Sequence, residues 1–252
     1  MAFCQLNYHS NALGKSVAVN IILPEANFKG RFPVFYLLHG RGDDHSIWVR
    51  RTSIERYASA WPLIIVMPDG GRGFYVDAVE GFAYESAIVR DLIPYIDGTF
   101  NTVAERDGRC IGGLSMGGYG ALRLALRFPE TFCSANSHSG ALEFGHSPVE
   151  WAHSDDKAEL ERITGPNPRG SEYDLYALAE KTASTNLPAL QIDCGTEDFL
   201  IEENRAFHNH LNACGVAHEY AEYSGAHNWE YWDAHIQDAL RFHARHLGFD
   251  SA

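Results

Sequence analysis

Two stretches of the chain constrain its fold more than any other feature. P-V-F-Y-L-L-H-G (33–40) and P-L-I-I-V-M-P-D-G (62–70) are unbroken apolar runs of strand length, each ending in Gly or Pro. A strand with no polar face is buried on both sides, which is the situation of a parallel sheet covered by helices. Neither run approaches the ~20 residues that a membrane-spanning helix needs. Before them, Val17, Val19 and Ile21 alternate with smaller or polar residues, as a half-buried strand requires.

Downstream the period changes. Tyr84, Ile88, Leu92 and Ile96 form a helical stripe, with Pro94 expected to bend its last turn. R-C-I-G-G-L (109–114) is a short strand followed by a helix over 118–128, and strands follow at 132–140 and 189–195. A helix over 202–214 stops at Gly215. A final one carries Trp229, Trp232, Ile236, Leu240, His243 and Leu247 on one face and stops at Gly248. Alternating strands and helices predict an α/β fold with a mostly parallel sheet between helices, in one domain covering 1–252. Residues 141–186 interrupt the alternation and are expected to form a small lid-like excursion or pocket wall.

With 20 Lys plus Arg against 33 Asp plus Glu, the chain carries a net charge of −13. That field disfavours nucleic acid and anionic membrane surfaces as partners. The start, M-A-F-C-Q-L-N-Y-H-S, shows no basic segment leading into an apolar stretch. Five cysteines, Cys4, Cys110, Cys133, Cys194 and Cys214, contain no CxxC pair. A cytoplasmic, reducing location is the expectation, and homo-oligomerisation is left open.

G-L-S-M-G at Gly113–Gly117 lies between a strand and a helix, the context of a nucleophile elbow. A side chain at Gly113 or Gly117 would collide with neighbouring backbone in so tight a turn. Ser115 is therefore the candidate nucleophile, and a serine hydroxyl needs a base to take its proton. His227, in S-G-A-H-N-W, is the one histidine in a Gly-flanked loop between a late strand and the final helix. His208 and His210 point about 200° apart on a helix. His243 and His246 share a helix face without an acidic or Cys partner, and His39 ends a core strand in a structural position. For the acid, Asp198 follows the strand 189–195, with its neighbour Glu197 and the in-strand Asp193 as alternatives. Two backbone N–H groups would complete an oxyanion hole: that of Met116, and that of Arg41 or Gly42 after His39-Gly40. Trp48, Tyr75 and Trp229 are candidate substrate-binding residues or core aromatics. Arg72 either orients an anionic group or is solvated.

Seven segments occur together: L-L-H-G-x(7)-W (37–48), M-P-D-G-G-R-G-F-Y (67–75), R-D-L-I-P-Y-I-D (90–97), G-G-L-S-M-G-G-Y-G-A-L (112–122), S-G-A-L (139–142), C-G-T-E-D-F (194–199) and G-A-H-N-W-E-Y-W (225–232). In this order they resemble the putative-esterase family of α/β-hydrolases, which includes esterase D, S-formylglutathione hydrolase, tributyrin esterase and feruloyl esterases. The resemblance runs from about residue 14 to 247. It implies a Ser115–Asp198–His227 triad, no cofactor, no metal, and hydrolysis of short acyl or aryl esters. The tributyrin-esterase branch is the most similar. S-formylglutathione hydrolases tend to carry S-G-L-T-C where this chain has H-G-R-G-D, which counts against a glutathione thioester. Mycolyltransferases resemble the same family, so acyl transfer to an alcohol is the alternative to hydrolysis. A non-enzymatic role on the same fold is a third class.

Overall fold

A computed structural model describes residues 1–147, 154–182 and 186–249. Eight strands form one sheet: β1 (Ala2–Ser10), β2 (Lys15–Leu23), β3 (Val34–Leu38), β4 (Ile64–Pro68), β5 (Arg109–Leu114), β6 (Ser134–His138), β7 (Ala189–Gly195) and β8 (Glu219–Tyr223). Their order is β1-β2-β4-β3-β5-β6-β7-β8. The first two strands run antiparallel to their neighbours, and β3 to β8 are parallel. The doubly apolar runs work as expected. Val34, Tyr36 and Leu38 enter one core layer with Leu92, Ile96 and Leu122. Phe35 and Leu37 enter the opposite layer with Ile54, Trp232 and Ile236. Among the described residues no helix is long and apolar enough to cross a membrane.

The structure adds a strand that the apolar pattern did not announce. In β1 the inward positions Cys4, Leu6, Tyr8 and Ser10 alternate with Phe3, Gln5, Asn7 and His9, so only every second residue is covered. The strand exists because it pairs along its whole length with β2, from Ala2↔Leu23 to Ser10↔Lys15, across a turn closed at Gly14 (φ +63°). The stripe beginning at Tyr84 also differs from expectation. It continues to Thr99, and Ala87–Leu92 is wound as π-helix before Ile93–Thr99 resumes the α form. Pro94 thus stands in a first turn rather than a last one. It has no N–H to bond backwards, and the wider π turn before it accommodates the missing bond. The helix after β5 begins at Met116, two residues earlier than its apolar spacing indicates.

The excursion after β6 contains the helices Ser154–Thr164 and Leu175–Thr182, while 148–153 and 183–185 lie outside the described residues. Its first helix is tied down at one end by Val79 N–H and Glu80 N–H, which donate to the carbonyls of Ile163 and Arg162 at 2.9 Å each. At the other end Asp156 and Glu159 both accept from the guanidinium groups of Arg41 and Arg72.

A second ionic group lies inside the fold. Arg123, on the helix Met116–Arg127, is buried, with Nη1 on Glu85 and Nε donating to the Glu172 carbonyl at 2.8 Å. Glu85 also accepts from Arg127 Nε at 3.0 Å. Removing one partner of such a pair leaves a buried charge without its counter-ion. Glu85→Gln is therefore expected to destabilise the protein by about 3 kcal/mol, at the low end of the range for broken buried pairs. Urea unfolding followed by tryptophan fluorescence checks this, and a midpoint unchanged from wild type would contradict it.

Candidate active site

Ser115 sits between β5 and the helix Met116–Arg127 with φ +53° and ψ −116°. A non-glycine residue rarely adopts such angles, and the surroundings must enforce them. Ser115 N–H donates to the His138 carbonyl at 2.9 Å, and its own carbonyl accepts from Tyr119 and Ala141 N–H at 3.1 Å each. The flanking glycines leave no room for relaxation. A Cβ on Gly113 would lie 2.7 Å from the Gly117 backbone and from the Leu38 carbonyl oxygen, and one on Gly117 2.6 Å from that same oxygen. The side-chain collision expected from the sequence is therefore present at both positions.

His227 lies in the loop between β8 and the helix Trp229–His246, whose N-cap is Asn228, accepting from Tyr231 N–H at 3.0 Å. Its Nδ1 is 3.0 and 2.9 Å from the two carboxylate oxygens of Asp198, and its Nε2 is 3.1 Å from Ser115 Oγ. An ionised carboxylate only accepts, so Nδ1 carries the proton and Nε2 is left to accept from the serine hydroxyl. Asp198 is buried in the turn after β7, and Leu200 N–H donates to it at 2.8 Å.

The other two carboxylates are engaged elsewhere. Glu197 is exposed. It accepts from Gly225 N–H and from Thr196 Oγ, and its own N–H returns a 3.0 Å bond to the Gly225 carbonyl. The Gly225 N–H holds its carboxyl below the usual range. It thus braces the histidine loop without touching the ring. Asp193 is buried between His138 Nδ1 (2.7 Å) and the Tyr231 hydroxyl (2.8 Å).

Within the elbow, Met116 is the first helical residue, so its N–H has no partner within the helix. Arg41 and Gly42 follow the chain His39-Gly40 past it. That loop is fixed from below. The Tyr75 hydroxyl donates to the His39 carbonyl at 3.0 Å and accepts from His39 N–H at 2.9 Å. The His39 ring donates from Nδ1 to the Gly40 carbonyl (2.8 Å) and accepts from Gly70 N–H (2.9 Å) at Nε2.

Two expected substrate residues are corrected by this arrangement. Tyr75 is fully buried beneath the His39 loop and does not line the cleft, and burial raises its hydroxyl far above its ordinary range. Trp48 is also core: its Nε1 donates to the Leu38 carbonyl at 3.0 Å, and its ring meets Trp229 edge-on. Both aromatics were pulled inward because each polar atom finds a backbone partner there. Trp229 does line the cleft. Arg72 is neither solvated alone nor free for an anion, since Glu159 and Asp156 hold it.

The cleft over Ser115 has a volume of about 390 Å³ and is walled by Gly40, Arg41, Asp43, His227, Trp229 and Trp232, among others. Three of its neighbours escaped the sequence reading. Trp232 meets the His227 ring edge-on at 4.9 Å. Phe199, 61% exposed, lies tilted against the other side of that ring at 4.6 Å. Asp43 faces the cleft from the His39 loop. Phe199 directly follows Asp198 in C-G-T-E-D-F, the available signal for it, whereas nothing in the sequence separates Asp43 from its neighbour Asp44. Among the described residues no cluster of His, Cys, Asp and Glu could hold a metal ion.

A family model described as Putative esterase matches residues 10–243. An acetyl esterase of Caldicellulosiruptor saccharolyticus is 29% identical over 96% of this chain and 98% of its own length. Esterase Rv1288 of Mycobacterium tuberculosis is 33% identical over 87% of this chain, which spans 54% of that protein. Among solved structures, the fluorophosphonate-binding serine hydrolase FphF of Staphylococcus aureus is 31% identical with a TM-score of 0.87, covering 96% of this chain and 98% of its own. An S-formylglutathione hydrolase of Staphylococcus aureus is 30% identical with a TM-score of 0.85, over the same shares. The sheet with its flanking helices is accordingly the α/β-hydrolase fold.

Tyr75→Phe would leave the buried N–H and carbonyl of His39 each short of a partner. It is expected to lower stability by about 1–3 kcal/mol. Arg72→Ala removes a half-exposed member of an ion-pair cluster and is expected to cost less than about 1 kcal/mol. Parallel urea titrations of the two variants check the order, which a larger loss in Arg72→Ala would reverse.

Proposed function

The chain belongs to the Putative esterase family and is an esterase, and on that premise we propose a serine carboxylic-ester hydrolase working through Ser115, His227 and Asp198. The observation that carries the reading is the position of His227, within hydrogen-bond reach of Ser115 Oγ on one side and Asp198 on the other. Ser115 Oγ attacks the ester carbonyl while its proton passes to His227 Nε2. Asp198 holds the ring in the tautomer that can accept, and stabilises the imidazolium that forms. The N–H groups of Met116 and Arg41 receive the negative charge on the tetrahedral oxygen. Collapse expels the alcohol, which takes the proton from His227. Water, deprotonated by the same nitrogen, then releases the acid from the acyl-enzyme. No step needs a cofactor or metal.

The proposed substrates are small-molecule esters with short acyl chains. A cleft of about 390 Å³ backed by Trp229 and Trp232 offers limited apolar wall. Each further methylene gains about 0.8 kcal/mol only while there is wall to bury it. S-formylglutathione hydrolysis is a second reading, favoured by the likeness to a hydrolase of that name. The Asp43-containing loop that departs from the S-G-L-T-C pattern weighs for oxygen esters. Acyl transfer is a third, since a mycolyltransferase of Mycobacterium avium is 25% identical over 81% of this chain.

With p-nitrophenyl butyrate as substrate, Ser115→Ala is expected to lower kcat/KM by at least about 10³-fold with the fold intact. Asp198→Asn should lower it by about 10³- to 10⁴-fold, because an amide favours the wrong tautomer. Glu197→Gln, which keeps one bond to the histidine loop, should lose less than about tenfold. A larger loss in Glu197→Gln than in Asp198→Asn would move the acid role to Glu197. Across p-nitrophenyl esters from C2 to C12, kcat/KM is expected to peak at or below butyrate. A rise continuing to C12 would contradict a bounded pocket, and comparison with S-formylglutathione, or with an added alcohol acceptor, ranks the three readings.

A further inference from the structure

The cleft wall contains a carboxylate that no donor among the described residues satisfies. Asp43 lines the cleft together with Ser115 and His227. Its Oδ2 and the Ser115 Cβ lie 3.5 and 3.7 Å from the point that a Cβ on Gly40 would occupy, a point filled by Leu114 Cδ1 at 2.6 Å, so the carboxylate stands on the same side of Gly40 as the nucleophile. Asp43 N–H closes a turn onto the Gly40 carbonyl at 3.2 Å, yet among the described residues no hydrogen bond or ion pair reaches its carboxylate. The nearby carboxylates are all supplied with donors. Asp44 takes Ser46 N–H and Oγ, Asp69 takes Gly71 N–H, and Asp156 and Glu159 take the two arginines. Glu230, also on the cleft, is exposed and hydrated. Asp43 is half-buried, and that burial lifts its carboxyl above the usual range, against the more distant pull of His39, Arg51 and Arg50.

An acceptor left without a donor in a half-dry cleft is unfavourable until a ligand supplies one. We propose that Asp43 is a specificity-determining residue that favours esters carrying a hydrogen-bond donor, a hydroxyl or an ammonium, beside the scissile carbonyl. This rests on the serine-esterase reading of the same site. A carbon isostere of such an ester desolvates the carboxylate and returns nothing. A site built to bond a donor rejects the analogue lacking it far more strongly than an apolar pocket rejects one methylene.

The test compares esters of matched shape by pH-stat titration at pH 7. Methyl glycolate and glycine methyl ester are set against methyl propionate on the acyl side, and 2-hydroxyethyl acetate against propyl acetate on the alcohol side. The wild type is expected to prefer the donor-bearing member on one side by roughly 10- to 100-fold in kcat/KM, the size of one hydrogen bond to a charged group. The glycolate and glycine arms distinguish hydroxyl from ammonium. Asp43→Ala should lower the wild-type ratio at least about tenfold, to what the esters' intrinsic reactivities set, and Asp43→Glu should restore part of it. The variants fold if a fluorophosphonate still titrates Ser115 stoichiometrically. Equal rates within every matched set for the wild type, or a preference that Asp43→Ala leaves undiminished, would overturn the assignment of Asp43. Loss of p-nitrophenyl acetate hydrolysis is a different result: its absence in the wild type would reject the esterase reading itself.

Discussion

The backbone of Ser115 is the constraint on which the rest of the site depends. A positive φ at a residue with a Cβ is unfavourable by roughly 1–3 kcal/mol, and it persists because three chain segments close on it. β3 presses its Leu38 and His39 carbonyls against Gly113 and Gly117. β6 receives the Ser115 N–H, and the first turn of the following helix receives its carbonyl. The strain lifts Oγ above the carboxyl edge of the sheet, and the same close contact brings the His39-Gly40-Arg41 chain alongside. Nucleophile and oxyanion loop are in this sense one packing event.

The loop that carries His227 is attached to that event through a buried polar chain under the sheet edge. Asp193, on β7 two strands from the elbow's β5, joins His138 on β6 to Tyr231 on the last helix. His138 continues through Asn136 to His243, which ends on Ser134. Every link is buried, and His243 is held well below its ordinary range by that burial, so it remains neutral. The carbonyl of His138 is the acceptor for Ser115 N–H, and Tyr231 packs against Gly225 in the histidine loop. A fully satisfied network of this kind rigidifies what it connects. Here it connects the floor beneath Ser115 to the loop that carries His227.

The excursion helix Ser154–Thr164 does not itself line the cleft but is bonded to the loop beside it. Asp156 and Glu159 hold the side chain of Arg41, the residue whose N–H is proposed for the oxyanion hole, and so tie the excursion to that loop. Glu159 is kept below its usual range by Arg72 and Arg41, so this clamp is fully formed above the ordinary carboxylate range and loosens only as pH falls through that lowered value.

The parallel strands, the elbow glycines around Ser115 and the candidate His227 could be read from the sequence, because each rests on local chemistry: apolar runs, turn residues and a motif in its strand–helix context. β1 could not, since a strand covered on one side by long-range pairing leaves only a faint alternation. The choice among Asp193, Glu197 and Asp198 also needed the fold. All three are acidic residues at the end of one strand, and which one meets His227 depends on how the 195–198 turn crosses the 225–227 loop. Tyr75 and Trp48 show the same limit. An aromatic beside a motif can line a pocket or support it, and the difference lies in which backbone atoms lie within reach of its hydroxyl or indole N–H. Asp44 takes both its donors from Ser46, two residues on, a local contact, whereas only the tertiary structure placed Asp43 on the cleft. Composition and spacing determine which residues can do chemistry; the crossing of distant loops decides which of them are placed to do it.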